Sequence, residues 1–464
     1  MSHPAKNVLI IAFHFPPIAA AGTHRTLNFV RQLSRRGYGL GVLTTSSFGG
    51  LGLDWSLAGR VPAGVLVARA PHVDPFRVLA RLHKARSGRP EAAVMPTGEG
   101  GGPPDRPRLF FPRALDYASR LANLPDRYTS WIPLAVARGI LLGRRIGAEV
   151  IYSTAPPYSA HLVGLFLSKV LGLPWVADLR DPWTLNPFHA NPYPSLCALD
   201  RTMERWVMFG AQRVILNTRQ AEAGYRERYP DLDQFCTINN GIDPDLLSIP
   251  PEPPARSGRL TLLHIGSIYG RRFPRGLIEA LARLRDSDPD LYRRIVVEQI
   301  GPEDHGERLL AEAKELGVAD QLRLRGPVSH AEALRRCRQA DGLLLLGPRG
   351  AEPEVQVPSK LFEYLAAGRP VFALAQLDGA IASLLADVDR PHVIADPNDP
   401  AGIHDGLRRF AALSEHASAR VAETGAGLER LNYETLTTLL EDELEQAVRP
   451  GTASRDAEYS STGD

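Results

Sequence analysis

The chain has 464 residues, of which 44% are hydrophobic, so it is long and apolar enough for two domains with separate cores. Its 54 Lys and Arg residues against 52 Asp and Glu residues give a formal net charge of +2, which argues against a protein that wraps nucleic acid. The cysteines, Cys197, Cys236 and Cys337, lie far apart, so we expect no disulfide framework and no zinc site, and a cytoplasmic location.

The first 240 residues alternate between short apolar runs, typical of strands buried on both faces, and amphipathic helices such as 25–36 and 159–171. The predicted strands are 7–13, 39–44, 65–70, 149–154, 174–178 and 213–217. This rhythm is typical of a parallel sheet covered by helices. The longest apolar stretch, 162–177, is interrupted by Lys169 and by a Gly-Leu-Pro break, so we interpret it as a helix followed by a strand and not as a membrane span.

A second series of strands follows a segment rich in proline and glycine at 239–258, which has no periodicity and is predicted to be a linker. The later strands are predicted at 260–265, 294–300, 321–326, 341–347, 370–375 and 392–395. The fold class is therefore α/β, with two Rossmann-like, doubly wound domains. Ligands of such sheets bind at the carboxyl ends of the strands, which predicts a site in a central cleft that both domains face.

The predicted domain boundaries follow from these patterns. An N-terminal domain covers 1–240, with a mobile insertion at about 84–108, where glycine, proline and charged residues are concentrated. The linker covers 241–258 and the C-terminal domain 259–430. The polar tail 449–464 is predicted to be disordered.

The stretch VPSKLFEYLAAGRP, residues 357–370, predicts a short helix with unusual charges in its first turns. Pro358 and Ser359 suit the first helical positions, where a hydroxyl can satisfy a free N–H, and Gly368 suits the left-handed C-terminal position. The amino end of this helix, together with Lys360, suits a phosphate, and Glu363 could accept hydrogen bonds from a ribose diol. The alternative is a capped surface helix whose Lys and Glu are merely solvated.

Two further loops follow predicted strands. In HIGSIYGRRFPRG, residues 264–276, a glycine loop that contains Gly266 and Ser267 leads to Arg271 and Arg272, an arrangement that suits a diphosphate. In FHFPPIAAAGTHR, residues 13–25, Gly22 precedes a helix whose first turn holds His24 and Arg25, and a glycine lets backbone amides approach a ligand closely.

Charged residues also end the strand in VADLRDPW, residues 176–183. Asp178, Arg180 and Asp181 could form a salt-bridge cluster or could line a polar substrate pocket. Both interpretations remain open from the residues alone.

These pieces, in this order, resemble the GT-B-fold retaining glycosyltransferases of family four, also called group 1 glycosyl transferases, over nearly the whole chain. The most specific match is PSKLFEYLAAGRPV, and the looser ones are FHFPPIAAAGTHR, the block from STAPPYSAH to PWVADLRDPW, INNGID and GSIYGRR. The resemblance implies that a sugar is moved from a nucleotide-diphosphate donor to an acceptor with retention of configuration. It also implies that the helix at 431–448 returns to the N-terminal domain.

The resemblance implies roles for individual residues. Glu363 matches the motif glutamate that holds the nucleotide ribose, and the stretch before it cradles the donor phosphates: Val357, Pro358, Ser359, Lys360 and Leu361. Arg271 or Arg272 matches a basic residue placed after the first strand of the second domain, and Gly266, Ser267 and Gly22 complete the donor site. The first motif glutamate falls on Val355, with Glu354 as a substitute if the loop is shifted by one residue. A histidine of some relatives falls near Arg180, and His161 lies on a nearby helix.

The expected chemistry follows from these matches. Arg271, Arg272, Lys360, Arg180 and His161 form the predicted catalytic set, because cations stabilise the charge that develops on the leaving diphosphate. His24, Arg25, Asp178, Asp181 and Trp183 are predicted to bind the acceptor. The family implies no metal and no cofactor other than the nucleotide sugar, and the sequence has no Asp-x-Asp motif in a plausible loop.

Other functions remain open. One is another GT-B enzyme, such as a nucleotide-sugar epimerase, a phosphorylase-type enzyme or a natural-product glycosyltransferase, and another is a non-catalytic protein that binds a sugar nucleotide. The acceptor is expected to be a lipid-linked or cell-surface glycan, as in polysaccharide biosynthesis. Residues 109–145 mix aromatic, apolar and basic side chains, which suits either peripheral contact with the inner face of a membrane or an ordinary pair of packed helices.

Overall fold

The structure is a computed structural model that describes residues 7–49, 51–72, 113–186, 189, 191–249, 258–268, 270–302, 305–350, 352–417 and 428–449. The predicted insertion at 84–108 and the predicted tail beyond 449 lie outside these residues, as do residues 250–257 of the predicted linker. The chain divides into two compact units, one comprising Met1–Asn239 and Leu436–Asp464 and the other Asn240–Thr435.

The N-terminal unit is built on a parallel sheet in the order β3-β2-β1-β4-β5-β6-β7. Its strands are β1 (Asn7–Ala12), β2 (Gly39–Thr45), β3 (Leu66–Ala70), β4 (Val150–Ala155), β5 (Trp175–Leu179), β6 (Arg213–Leu216) and β7 (Phe235–Thr237). Its helices are α1 (Ala21–Arg35), α2 (Trp55–Ala58), α3 (Arg113–Ala122), α4 (Ile132–Ile146), α5 (Ser159–Leu171), α6 (Pro194–Gly210) and α7 (Arg219–Arg228). The three-residue strand β7 was not predicted, because its sequence Phe-Cys-Thr is too short to show a period.

The C-terminal unit contains a second parallel sheet in the order β10-β9-β8-β11-β12-β13. Its strands are β8 (Leu260–Ile265), β9 (Ile295–Ile300), β10 (Leu322–Arg325), β11 (Gly342–Leu346), β12 (Val371–Leu374) and β13 (His392–Ala395). Its helices are α8 (Pro244–Leu247), α9 (Arg275–Ser287), α10 (Pro289–Arg294), α11 (Gly306–Glu315), α12 (His330–Gln339), α13 (Lys360–Ala367), α14 (Ala380–Ala386) and α15 (Pro400–Ala417).

Both faces of this second sheet are buried, as the continuous apolar runs predict. Successive residues of β11 and β12 enter two different apolar clusters: Leu344 and Phe372 belong to one, and Leu343 and Val371 to the other. Because side chains alternate between the faces of a strand, a strand covered on both sides must be apolar throughout. The two sheets confirm the predicted α/β class with two doubly wound halves.

The predicted linker begins with more secondary structure than its composition suggests. Helix α8 begins after Asp243, whose side chain accepts a hydrogen bond from the Asp245 amide, and Pro244 occupies the first helical turn. Ile242 is buried and pairs with Asn432, just ahead of the last helix, α16 (Tyr433–Val448). Pro244 therefore lies at the start of a short helix that Asp243 caps, and it does not abolish the secondary structure of this segment.

Helix α16 belongs to the N-terminal unit from Leu436 onward. Its apolar side chains Leu436, Leu440 and Leu444 are buried, and it forms ion pairs with the body of that unit through Arg36 to Glu441 and Arg213 to Glu443. No helix in the part of the chain that the structure describes combines the length and the apolar character needed to cross a bilayer.

Candidate functional site

Two glycines lie against each other where β8 and β9 end. Gly266 has φ +112° and Gly301 has φ +150°, conformations that residues with a Cβ rarely adopt, and a Cβ on Gly301 would lie 2.8 Å from the carbonyl carbon of Gly266. The Gly266 amide donates to the Ile300 carbonyl at 2.7 Å, and Gln299 Nε2 donates to the Gly266 carbonyl at 2.9 Å. The backbone at this point is therefore fixed, and neither glycine carries a side chain of its own, which favours close approach of a ligand.

Lys360 extends from the first turn of α13 to this glycine loop. Its Nζ donates to the Ile265 carbonyl at 2.7 Å, and a Cβ on Gly266 would lie 2.6 Å from Nζ. One helical turn later, the Tyr364 hydroxyl accepts from the Ile265 amide at 2.8 Å. Residues at positions i and i+4 share one helix face, so Lys360 and Tyr364 together hold the end of β8.

The Lys360 ammonium lies in a positive environment. Burial and, to a smaller extent, the charge of Arg272 together lower the pKa of Lys360 to about 8, while the charge of Glu363 acts in the opposite direction. A cation with a depressed pKa is stabilised by an arriving anion. The site is therefore suited to an anionic ligand.

Glu363 is the carboxylate nearest to this cation in the helix. Its side chain is 30% exposed, and its Oε1 lies 3.8 Å from Nε2 of His330, the first residue of α12. Burial raises the pKa of Glu363, whereas His330 and Lys360 lower it. The carboxylate keeps an accessible acceptor, as the predicted contact with a ribose diol requires.

The start of α13 differs from the prediction in two respects. Ser359 already has helical dihedral angles, φ −56° and ψ −31°, and its hydroxyl forms no capping hydrogen bond, so the predicted capping role is wrong. Leu361 is fully buried and its amide is hydrogen-bonded to the Pro358 carbonyl, which leaves its side chain in the core and out of the predicted donor site. The left-handed Gly368 that ends the helix, φ +71°, is confirmed.

The paired arginines differ in their surroundings. Arg271 forms an ion pair with Glu352, and its carbonyl accepts a hydrogen bond from the Arg349 amide at 2.8 Å. Arg272 is near enough to Lys360 for its charge to lower the pKa of that ammonium. Of the two, Arg272 lies in the electrostatic field of the candidate site, while Arg271 joins the loop that carries Glu352.

The side chain of Glu354 is buried in the protein. It is 3% exposed, its Oε1 accepts from the Ile381 amide at 3.1 Å, and its backbone is held by Gln376 and Ala380. Burial raises the pKa of Glu354 to about 7, and Oε2 forms no hydrogen bond with any described residue. The carboxylate thus anchors the loop before α13 to the amino end of α14, and little of it is open to a donor sugar.

In the N-terminal unit, Gly22 lies directly under the guanidinium of Arg180. A Cβ on Gly22 would lie 2.0 Å from Nη1 of Arg180, so only glycine fits without displacing this side chain. Arg180 is 8% exposed, donates to the Pro156 carbonyl, and its Nε has no partner among the described residues. The two predicted residues are brought together at the amino end of α1, with a donor still unused.

Several other predicted residues are structural. Arg25 and Asp178 are both buried and bonded to each other, so the open question about Asp178 is answered by a salt bridge with Arg25. His161 has no exposed surface, and burial lowers its pKa to about 3, so a role in touching substrate is not supported. Trp183 is also fully buried, with Nε1 donating to Asp200 at 2.9 Å and its ring stacked on Tyr158.

His24 and Asp181 are half-buried, and their predicted contact with an acceptor stays a prediction. The same holds for Ser267, which lies in the glycine loop, and for Pro358 at the start of α13. Among the described residues, no group of His, Cys, Asp and Glu side chains is arranged to hold a metal ion.

Sequence reasoning missed residues that support the site from outside the quoted motifs. Tyr364 was treated as an apolar member of its helix, yet its hydroxyl holds β8, and Gln299 and Gly301 fix the neighbouring loop. Gly301 could have been found, because a glycine that directly follows a predicted strand marks the carboxyl edge of the sheet.

Known proteins similar to this chain are glycosyltransferases. The chain is 30% identical over 259 residues to a D-inositol 3-phosphate glycosyltransferase of Streptomyces scabiei, covering 53% of this chain and 55% of the relative. It is 27% identical over 297 residues to D-inositol 3-phosphate glycosyltransferase 1 of Catenulispora acidiphila, covering 61% and 65%. The chain therefore spans a little over half the length of the curated relatives it matches first, and no family model matches it.

Solved structures establish the fold. Anabaena Alr3699/HepE in complex with UDP superposes with a TM-score of 0.59 at 14% identity, covering 95% of this chain and 99% of that one. WaaG, a glycosyltransferase involved in lipopolysaccharide biosynthesis, superposes with a TM-score of 0.55 at 16% identity, covering 93% and 99%. The chain has the GT-B fold, and its homologues are group 1 type glycosyltransferases, which confirms the resemblance seen in the sequence.

Proposed function

We propose that this protein is a glycosyltransferase that moves a sugar from a nucleotide-diphosphate donor to an acceptor with retention of configuration, as a hexosyltransferase-type enzyme. The observation that carries the proposal is the position of Lys360 Nζ, 2.7 Å from the Ile265 carbonyl and directly over Gly266. A diphosphate needs a cation, free backbone approach and a fixed loop, and these coincide at the carboxyl end of β8.

In the proposed complex, the donor binds to the C-terminal unit. The diphosphate contacts Lys360, Arg272 and the glycine loop at Gly266 and Ser267, and the ribose diol donates hydrogen bonds to Glu363. One of the similar solved structures contains UDP and another contains UDP-glucose, which supports a nucleotide-sugar ligand for this site.

The proposed role of the cations is electrostatic. As the bond between the sugar and the diphosphate lengthens, negative charge accumulates on the leaving phosphate, and Lys360 and Arg272 stabilise that charge. No metal and no further cofactor are part of this proposal. Retention is proposed to proceed by departure and attack on the same face of the sugar, without an enzyme nucleophile.

The acceptor is proposed to bind to the N-terminal unit, near Gly22, His24, Arg180 and Asp181. We propose a lipid-linked or cell-surface glycan as the acceptor class, and a cytoplasmic enzyme that contacts the inner face of the membrane. The curated relatives are named for a different acceptor, an inositol phosphate, which makes that compound the second candidate.

The test is a donor and acceptor screen by mass spectrometry, with the full chain, a panel of nucleotide sugars and both acceptor classes, in the presence of a chelator. We expect a transfer product from at least one donor, and we expect it to persist in EDTA. Nucleotide binding without transfer from any donor would favour the non-catalytic alternative, and conversion of the donor sugar without an acceptor would favour an epimerase. Activity lost in EDTA and restored by magnesium or manganese would contradict the proposed metal independence.

A further inference from the structure

Three adjacent helices of the N-terminal unit present an unusual outer surface. Helix α4 packs against α5, and α5 packs against α6, on the sheet formed by the strands between them. Their outward positions carry large apolar side chains that are exposed, among them Leu141 at 66% and Trp206 at 44%. The others are Leu134, Phe166, Val170, Leu199 and Phe209. We call this set of exposed positions on the three helices the α4–α6 surface.

The charged residues of the α4–α6 surface are all of one sign. Helices α4 and α5 contain no Asp or Glu, and the two carboxylates of α6, Asp200 and Glu204, are 4% and 0% exposed. The exposed basic residues are Arg138, Arg144, Arg145, Lys169, Arg201 and Arg205. None of these six forms an ion pair with any residue in the described ranges.

This segregation is not explained by the overall charge of the protein. The whole chain has a formal net charge of only +2, so cations without neighbouring carboxylates are concentrated here. Exposed apolar side chains that are grouped on one surface mark an interaction site. The partner must therefore be anionic and must also accept apolar side chains.

We propose that the α4–α6 surface docks on an anionic lipid bilayer. Lys and Arg can lay their aliphatic stems along an apolar surface while their charges reach lipid phosphates, and Trp and Phe are favoured at the boundary between headgroups and acyl chains. The side chains come from three helices lying side by side and form a broad face, which suits a planar bilayer better than a protein peptide or a groove-bound ligand.

A second copy of the chain fits this surface less well. A two-fold interface places the same patch on both subunits, so the six cations of one copy would face those of the other without a carboxylate to compensate. The inference rests on the membrane contact included in the proposed function and assigns it to particular helices. It is independent of the proposed donor chemistry, because it concerns the N-terminal unit and none of the residues that surround Lys360.

The test is co-sedimentation of the full chain with vesicles of phosphatidylcholine alone and with vesicles that also contain phosphatidylglycerol. We expect binding to the anionic vesicles that weakens as salt is added. The triple variant Arg138→Gln, Lys169→Gln, Arg205→Gln should lower the partition coefficient about a hundredfold, since each cation near a charged membrane contributes about fivefold. A control triple variant removes the same charge from exposed positions of the C-terminal unit: Arg275→Gln, Arg293→Gln, Arg308→Gln. It should change the partition coefficient little.

A second variant tests the apolar part of the proposal. Trp206→Ser with Phe209→Ser should weaken binding to anionic vesicles while its salt dependence remains, and thermal unfolding should confirm that both variants are folded. An equal loss of vesicle binding in the α4–α6 triple variant and in the control triple variant would overturn the proposal. A second result would also overturn it: the wild type binds neither kind of vesicle and self-associates in light scattering, while the α4–α6 triple variant is monomeric. That result would assign the surface to a second copy of the chain.

Discussion

Arg25 and Asp178, which lie 153 positions apart in the chain, form a bidentate ion pair inside the N-terminal unit. Nε donates to Oδ2 at 2.8 Å and Nη2 donates to Oδ1 at 2.9 Å, while Nη1 donates to the Asn239 carbonyl at 2.6 Å. The arginine joins the first turn of α1 to the end of β5 and to the last residue of this unit's first segment.

The first prediction concerns this pair. Arg25→Met leaves a buried carboxylate without its cation, so we expect it to lower the free energy of unfolding by about 3–5 kcal/mol, measured by denaturant titration. Arg120→Met breaks a half-exposed pair of the same unit and should cost less than about 1 kcal/mol. Adding Asp178→Asn to Arg25→Met should recover part of the loss; a double variant worse than the sum of both would contradict the pairing.

The ion pair also determines how the stability of the folded state changes in acid. Burial alone would raise the pKa of Asp178, but the Arg25 charge and hydrogen bonds hold it below its ordinary value. The resulting stabilisation is present above the ordinary pKa of an aspartate and is lost as the pH falls through the lowered value. In Arg25→Met this loss of stability in acid should disappear.

The second prediction concerns Glu363. Glu363→Ala should weaken binding of a nucleoside diphosphate by about 1–3 kcal/mol in calorimetry, because a hydrogen bond to a charged acceptor is lost. The wild type should bind a 2′-deoxynucleotide more weakly than the ribonucleotide. The variant should bind the two nucleotides with equal affinity. Glu315→Ala, at the end of α11, provides the control. Unchanged affinity in Glu363→Ala would reject the ribose assignment.

The third prediction separates the paired arginines. Arg272→Ala should reduce turnover about a hundredfold, the usual effect of removing a group that stabilises transition-state charge. Arg271→Ala should have a much smaller effect, because Arg271 is already paired with Glu352. Both variants, and the double variant, should unfold at the wild-type temperature. Full activity in the double variant would mean that both are ordinary surface charges.

The fourth prediction is a pH dependence that originates in Lys360. Its pKa of about 8 means that the ammonium loses its proton as the pH rises through this value, so donor affinity should fall above it. Lys360→Arg should move this fall to higher pH, since a guanidinium stays protonated. Affinity measured by calorimetry across this range checks the point, with Lys314→Arg as the control. A flat profile for the wild type would exclude Lys360 as the donor's cation.

The fifth prediction concerns stability and Glu354. Its pKa is raised from 4.5 to about 7, so the folded state takes up a proton that the unfolded state does not, and stability should fall as the pH rises between these values. Relative to Glu354→Gln, the wild type should lose about 3 kcal/mol over this range, at 1.36 kcal/mol per pKa unit. Parallel curves for the two proteins would show that the carboxylate is more hydrated than its burial indicates.

The sequence predicted the parts of the candidate site that are encoded locally. Gly266 follows a strand and Lys360 opens a helix, and each signal is contained within a few residues of the chain. The sheets were predicted for a similar reason, because strands buried on both faces are continuously apolar.

The errors arise where long-range contacts decide the role of a polar residue. His161 was assigned to catalysis and Trp183 to acceptor binding from the resemblance to the family. In the structure, His161 Nδ1 is bonded to Ser153 at 2.8 Å, and Trp183 is bonded to Asp200. Such partners lie on other elements, so a pattern within one segment could not reveal them.

Helix α16 has a consequence for biosynthesis. Because it completes the N-terminal unit with residues that follow position 435, that unit cannot finish folding when its first 239 residues leave the ribosome. The buried leucines of α16 and the carboxylates that pair with Arg36 and Arg213 are translated only after the whole second unit. A nascent chain must therefore keep the matching apolar surface uncovered through most of translation, the period in which a chaperone would be needed most.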